Sequence, residues 1–242
     1  MIPKQSCGNE GELVGIVGPN GSGKTTILQI ISGVLKPAHG RVVISDSDVA
    51  HLSTKEKAKL VSVVPQSPTL PPTFTVRELV LMGRNPHLRL LEWEGQTDLK
   101  IAKYWMELTG TKHLADRSIY TLSGGERQRA ILAMALTQET PILLMDEPTS
   151  NLDLVHQTSV MDLIQDIQRV RRGTVLIAMH DLTLASQYCN RLIMLANGKV
   201  FAEGEPTDVL TKENICAVYD TKVVVVPHPE NRGTIIVPAS NR

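Results

Sequence analysis

Five short apolar runs, each bounded by turn or polar residues, recur along the chain at 13–17, 60–64, 142–145, 174–179 and 191–195. They lack the alternation of a half-solvated strand and have the length of strands buried on both faces, as in a parallel sheet. Between many of them the apolar positions switch to helical spacing. The clearest case is 153–172, where Val160, Leu163, Ile164, Ile167 and Val170 share a stripe. Aspartates lie early in it and Arg169, Arg171 and Arg172 late, as the helix dipole favours, and Gly173 ends it. Strands alternating with helices predict an α/β fold on a mainly parallel sheet.

From about 67 to 140 the buried-strand runs disappear and helical segments take over at 76–82, 99–108 and 126–136. This stretch is expected to be a helical subdomain inserted into the sheet. Its entrance carries Pro65, Pro68, Pro71 and Pro72 and is expected to be rigid and extended. A turn at Asn197-Gly198 then leads into a small C-terminal β/α extension, about 199–242, with a strand at 199–202, two small helices and a strand at 223–226. The 242 residues suit one such domain.

Composition narrows the setting. At 42% apolar and 21% charged residues the chain is too apolar to be disordered. Its 25 Lys+Arg balance 25 Asp+Glu, so no global field draws it to nucleic acid, and no nucleic-acid partner is expected. Cys7, Cys189 and Cys216 form no CxxC pair, which argues against a disulfide framework or structural zinc and for a reducing cytoplasm. No apolar run approaches the roughly 20 residues that span a bilayer, and the N-terminus has no signal-peptide core. The chain is expected neither to cross a membrane nor to be exported, while remaining free to dock on a protein that does cross.

The strongest chemical signal is Gly18-Pro19-Asn20-Gly21-Ser22-Gly23-Lys24-Thr25, a GxxxxGK followed by threonine, placed after the run 13–17 and before an apolar helix expected at 26–34. Its glycines let backbone N–H groups converge on phosphate oxygens, and the helix N-terminus, where Thr26 follows, adds positive potential. Lys24 is expected to reach the β- and γ-phosphates as a site residue rather than a core one, and Thr25 to offer a hydroxyl to Mg²⁺. This is the pattern of a nucleoside triphosphate site. A second element is the run 142–145 ending in Asp146-Glu147. There Asp146 is expected to hold Mg²⁺ and Glu147 to act as general base or water orienter on the γ-phosphate. Alone, such an acid pair is more often a helix cap or a solvated loop. A third is Leu122-Ser123-Gly124-Gly125-Glu126-Arg127-Gln128-Arg129, where Ser123 caps a helix and Gly124 and Gly125 open its first N–H groups to an anion. A second phosphate-binding helix tip on one chain makes sense if it closes on the nucleotide of a partner subunit.

The LSGGERQR stretch, in this order with the phosphate loop and the acid pair, resembles the signature motif of the ATP-binding cassette (ABC) ATPase family, and the resemblance runs from Gly11 over nearly the whole chain. It implies ATP and Mg²⁺ as ligands and a P-loop ATPase that dimerises head to tail, Ser123, Gly124 and Gly125 of one subunit meeting the nucleotide of the other. Gln66 matches the glutamine that touches Mg²⁺ or water and senses the membrane partner. Asp153, ending Ser150-Asn151-Leu152-Asp153, matches the aspartate that crosses the dimer interface, with Asn151 where alanine is more usual. His180 matches the switch histidine at the γ-phosphate. Without the resemblance, Gln66 reads as a surface loop residue and His180 as a structural side chain. His39, His51, His87, His113, His156 and His228 are left structural.

Within the family, the stretches 71–88, 180–185 and 204–211 resemble ATPase subunits of importers for iron-siderophore, haem and cobalamin. This implies integral-membrane permease subunits as partners, received along 75–84, and indirectly a substrate-binding protein, with the ATPase peripheral at the cytoplasmic face of the membrane. A soluble cassette ATPase acting on ribosomes or DNA, and an exporter cassette, are the competing readings. The resemblance also implies a strand before Gly11 carrying an aromatic residue on adenine. Only ten residues precede Gly11 and no aromatic precedes Phe74, so a truncated or misplaced start is expected and no adenine-stacking residue is assigned.

Overall fold

The computed structural model describes residues 11–70, 73–150, 152–171, 173–229 and 233–239. Cys7 and the expected N-terminal strand, Pro71, Pro72, Asn151 and Arg172 lie outside them. In chain order, β1 (Leu13–Val17) is followed by α1 (Lys24–Ile31), the ribbon β2 (Val43–Ile44) and β3 (Ser47–Asp48), α2 (Thr54–Leu60) and β4 (Val61–Val64). Next come α3 (Val76–Met82), α4 (Gln96–Leu108), α5 (Gly124–Thr137), β5 (Ile142–Asp146) and α6 (Leu154–Arg171). Then follow β6 (Thr174–Met179), α7 (Leu182–Tyr188), β7 (Arg191–Ala196), β8 (Lys199–Gly204), α8 (Pro206–Val209), α9 (Lys212–Tyr219), β9 (Val223–Pro227) and β10 (Thr234–Pro238).

Six strands form one sheet in the order β4-β5-β6-β1-β7-β8. All neighbours are parallel except β7 and β8. Asn197 and Gly198, with φ of 49° and 72°, make the tight turn between those two. Successive strand side chains serve opposite faces. Leu13, Val17, Leu143, Met145, Val175, Ile177 and Met179 join one core, which also receives α3 to α7. Val14, Ile16, Leu144, Leu176 and Ala178 join a second core with Leu28 of α1. Both faces being buried is why these runs are continuously apolar.

Between β4 and β5 the described residues form helices and 3-10 turns and add no strand to the six-stranded sheet. α3 and α4 pack on α5. Where these helices rejoin the sheet, Arg84 is buried and donates to Asp98 Oδ1 at 2.8 Å, Glu139 Oε2 at 2.9 Å and the Thr137 carbonyl at 2.9 Å.

Several boundaries differ from the sequence reading. Leu60 is the last residue of α2 rather than the first of a strand. That helix buries no residue and so shows no apolar stripe; it is set instead by the Ser53–Glu56 capping box. α1 stops at Ile31, because Gly33 turns left-handed at φ 71° and Val34 and Leu35 are exposed. The first turn of α6 holds no acidic residue, since Asp153 precedes the helix. Strand β9 pairs with the unforeseen β10, which is fastened to α7 where Thr183 Oγ1 accepts from Ile236 N at 3.2 Å.

Candidate active site

Parallel strands end on one edge of a sheet, and open α/β sheets bind ligands there. Since β4, β5, β6 and β1 are neighbours, the residues at or just after their ends are brought side by side: Gln66, Asp146 and Glu147, His180, and the loop from Gly18. The carboxylate of Glu147 is the hub. Its Oε2 accepts from Gln66 Nε2 at 2.6 Å, its Oε1 lies 3.1 Å from His180 Nδ1, and Lys24 Nζ is 4.0 Å from the same oxygen. Glu147 has φ of 47°, a left-handed conformation that costs a non-glycine residue about 1–3 kcal/mol and is a recurrent mark of functional sites. The Glu147 N–H, donating to the Ala178 carbonyl at 3.1 Å, ties this turn to β6.

Beside the hub, Thr25 Oγ1 donates to Asp146 Oδ1 at 3.2 Å. Burial pushes the Asp146 carboxyl above the usual aspartate range; the Thr25 hydrogen bond opposes this, the Glu147 charge adds to it and the Lys24 charge opposes it. A cation between these groups would reverse the imbalance, so the donor set fits a hard, oxygen-seeking divalent ion such as Mg²⁺.

The phosphate loop wraps around the start of α1. Gly18 has φ of 154°, and a β-carbon there would stand 2.5 Å from the Leu195 carbonyl, so only glycine fits. Ser22 N–H donates to the Pro19 carbonyl at 3.1 Å, and Gly198 N–H donates to the Ser22 carbonyl at 3.1 Å, fixing the loop to the β7–β8 turn. Gly23, left-handed at φ 104°, opens α1, whose first amides have no intrahelical partner. Asn20, Gly21, Thr25 and Thr26 are exposed at the rim. The Ser22 hydroxyl is sealed from solvent without a partner.

Lys24 departs from expectation. It is only 6% exposed, and its ammonium donates to the Gly18 carbonyl at 2.9 Å and the Pro19 carbonyl at 3.3 Å. Here the lysine braces its own loop as well as lying beside Glu147.

Ser123, Gly124, Gly125 and Asp153 form a second cluster, and among the described residues no hydrogen bond or ion pair joins it to the first. Ser123 caps α5: Glu126 N–H donates to its hydroxyl at 3.3 Å and Ser123 N–H to Glu126 Oε2 at 2.8 Å. That backbone bond, followed by the hydroxyl, holds the Glu126 carboxyl below the usual range. Ser123 and Gly124 are exposed, presenting the helix tip outward. Asp153 is exposed, and its Oδ1 accepts from His156 N–H at 2.9 Å and lies 2.6 Å from His156 Nδ1. His156, left structural on sequence grounds, thus belongs to this cluster. His87 matches the structural reading, with Nε2 2.8 Å from the Gln138 carbonyl.

The family model described as ABC transporter matches residues 6–150, more than half of the chain. The chain belongs to the ABC transporter family. It is 40% identical to the ferric enterobactin transport ATP-binding protein FepC of Escherichia coli over 95% of this chain and 84% of that protein. It is 42% identical to a hemin import ATP-binding protein of Nocardia farcinica over 96% of this chain and 79% of the relative. A cobalamin import ATP-binding protein of Halobacterium salinarum is 40% identical over 96% of this chain, which spans 58% of that relative's length. Among solved structures, a transporter described as metal-chelate type, in an inward-facing conformation, superposes with a TM-score of 0.83 at 29% identity, covering 96% of this chain and 88% of that one. A dimeric ATP-binding cassette in a post-hydrolysis state bound to ADP and Pi gives 0.72 at 32% identity, covering 82% and 87%.

Proposed function

We propose that this ABC family member is the ATP-hydrolysing subunit of an importer, powering uptake of an iron chelate, haem or cobalamin through separate permease subunits. The observation that carries the catalytic part is the convergence of Lys24, Gln66 and His180 on the Glu147 carboxylate, next to the Thr25–Asp146 pair. The names of relatives sharing about 40% of its residues carry the substrate class.

In this reading the exposed loop amides and the α1 N-terminus take the phosphates, and Lys24 turns from the Gly18 and Pro19 carbonyls to the β- and γ-phosphate oxygens. Mg²⁺, held by Thr25 and Asp146 with Gln66 nearby, neutralises phosphate charge when bound. Glu147 accepts a proton from the attacking water as its oxygen bonds to the γ-phosphorus and the bond to the ADP oxygen breaks. Gln66 orients that carboxylate, and His180 lies where it can meet the γ-phosphate. Positioning and charge neutralisation supply most of such a reaction.

The second cluster serves the other subunit of a homodimer. Ser123 and Gly124 present an anion-binding tip, with Gly125 buried just behind them, and beside Asp153 the apolar Leu154 and Val155 are 73% and 75% exposed, a face that a second copy would cover. The helices of about 67–140 act as a subdomain that turns against the sheet, with 75–84 receiving the permease. No described helix is long and apolar enough to cross a membrane. In this reading, supported by the transport roles named for its relatives, the subunit sits peripherally at the cytoplasmic face with the substrate-binding protein acting from the far side.

Glu147→Gln tests this reading. It keeps Asp146 and the loop while removing the base, so it should bind Mg²⁺ and ATP, turn over very slowly, and run as a dimer in gel filtration with ATP. Unimpaired turnover, or a monomer at saturating ATP, would overturn it.

A further inference from the structure

His156 occupies the third position of α6 and touches both parts of the second cluster. One edge of its ring faces Asp153, with Nδ1 2.6 Å from Oδ1, the oxygen that also accepts from the His156 N–H at 2.9 Å. The other edge covers Gly125. A β-carbon there would stand 2.6 Å from His156 Cδ2 and 3.5 Å from Nε2, so the ring fills the volume that any larger residue at 125 would need. The adjoining Gln157 donates Nε2 to the Leu152 carbonyl at 3.0 Å and the Thr149 carbonyl at 3.4 Å, holding the approach to α6 from the same helix. Leu152 in turn would lie 3.7 Å from a β-carbon on Gly124. The tips of α5 and α6 are thereby stacked as carboxylate, imidazole and glycine.

We propose that His156 is a positioning residue for ATP hydrolysis: it grips Asp153 with one ring edge and seats Gly125 on the other, so that both tips meet the partner's nucleotide as one rigid face. This rests on the two-subunit reading above. Catalytic geometry tolerates little slack, a displacement of about 1 Å being able to cost on the order of a hundredfold in rate. A face assembled from two helix tips needs such a tie, because the capping bonds of each tip are internal to it and leave their separation free. Gly125 then has a structural reason to be glycine that is separate from any contact its amide makes with phosphate.

The test uses full-length protein carrying Glu147→Gln, so that dimers accumulate. Three quantities are measured: the melting temperature without ligand, the affinity of dilute monomer for ATP, and the dimer dissociation constant at saturating ATP and Mg²⁺. Adding His156→Ala should leave the first two unchanged and weaken the dimer about tenfold, a loss that slackened positioning can produce. In the chain with Glu147 restored, kcat should fall by a similar factor. Gly125→Ala should weaken the dimer strongly when His156 is present and much less when His156→Ala has made room, a non-additivity expected only of residues in contact. A dimer unaffected by His156→Ala would overturn the proposal. So would parallel loss of melting temperature and monomer affinity, which marks a merely structural histidine, or equal damage by Gly125→Ala with and without the ring. Failure of the Glu147→Gln parent to dimerise would overturn the two-subunit reading itself, and the inference with it.

Discussion

The burial of Lys24 gives a prediction about stability as well as chemistry. Lys24→Met keeps the apolar stem and deletes the ammonium, which donates to the carbonyls of Gly18 and Pro19. Pro19 retains a partner, because Ser22 N–H also donates to its carbonyl at 3.1 Å, whereas the Gly18 carbonyl loses the donor it has. A hydrogen bond to a charged group contributes about 1.5–3 kcal/mol, and an orphaned buried acceptor costs about 1–3 kcal/mol. The ammonium's own desolvation offsets part of this, leaving a net loss of about 2 kcal/mol, for which a chain of this size should melt about 4–8 °C lower. Calorimetry of the ligand-free variant measures the shift, and a parallel assay should show ATP turnover reduced at least about 100-fold. An unchanged melting temperature would refute the bracing role, and unchanged turnover would refute the site.

Asp146→Asn should stabilise the ligand-free protein. With its carboxyl pushed above the usual range by burial, the folded state holds the proton more tightly than the unfolded one, so native stability falls as pH rises from about 4 through the folded value. The asparagine variant should lack that decline in thermal melts at stepped pH, and should also lack any Mg²⁺-dependent stabilisation with ATP. Arg84→Ala should cost about 1–3 kcal/mol in denaturant unfolding, because it leaves the half-buried Asp98 carboxylate without its Arg84 donor. The Arg84 hydrogen bond is the main cause holding the Asp98 carboxyl below the usual range, so the gap to the parent should be full above about pH 4 and shrink as pH falls through the lower folded value.

What could be read ahead of the structure follows from how each feature is encoded. The central strands were visible because burial on both faces makes 13–17, 142–145 and 174–179 uninterrupted in apolar residues. The cap at Ser123 was visible because a capping box is local, four residues long. α2 was hidden because none of its residues is fully buried and Leu60 is the one large apolar residue it packs on the core, and β2 and β3 because two residues show no period. The phosphate loop and acid pair announce themselves by motif, but Gln66 and His180 are single residues whose meaning came from family resemblance alone; the sheet order then explains why they converge. The features missed are contacts. Arg84 joining Asp98 to Glu139 and His156 lying over Gly125 leave no periodic or motif signal, since each depends on where two separate elements come to rest. Lys24 folding back onto Gly18 is local, within one loop, but the motif marks the lysine for phosphate and not for its own backbone.

The central claim is that each nucleotide site is completed by a second copy of the chain, and mixing two inactive subunits tests it most directly. In a head-to-tail dimer of Lys24→Ala with Ser123→Arg, one composite site carries both lesions and the other carries neither. Each variant alone should be inactive, while an equal mixture, half of it mixed dimers with one sound site apiece, should recover about a quarter of the parent ATPase rate. A mixture no more active than its separate components would contradict the account.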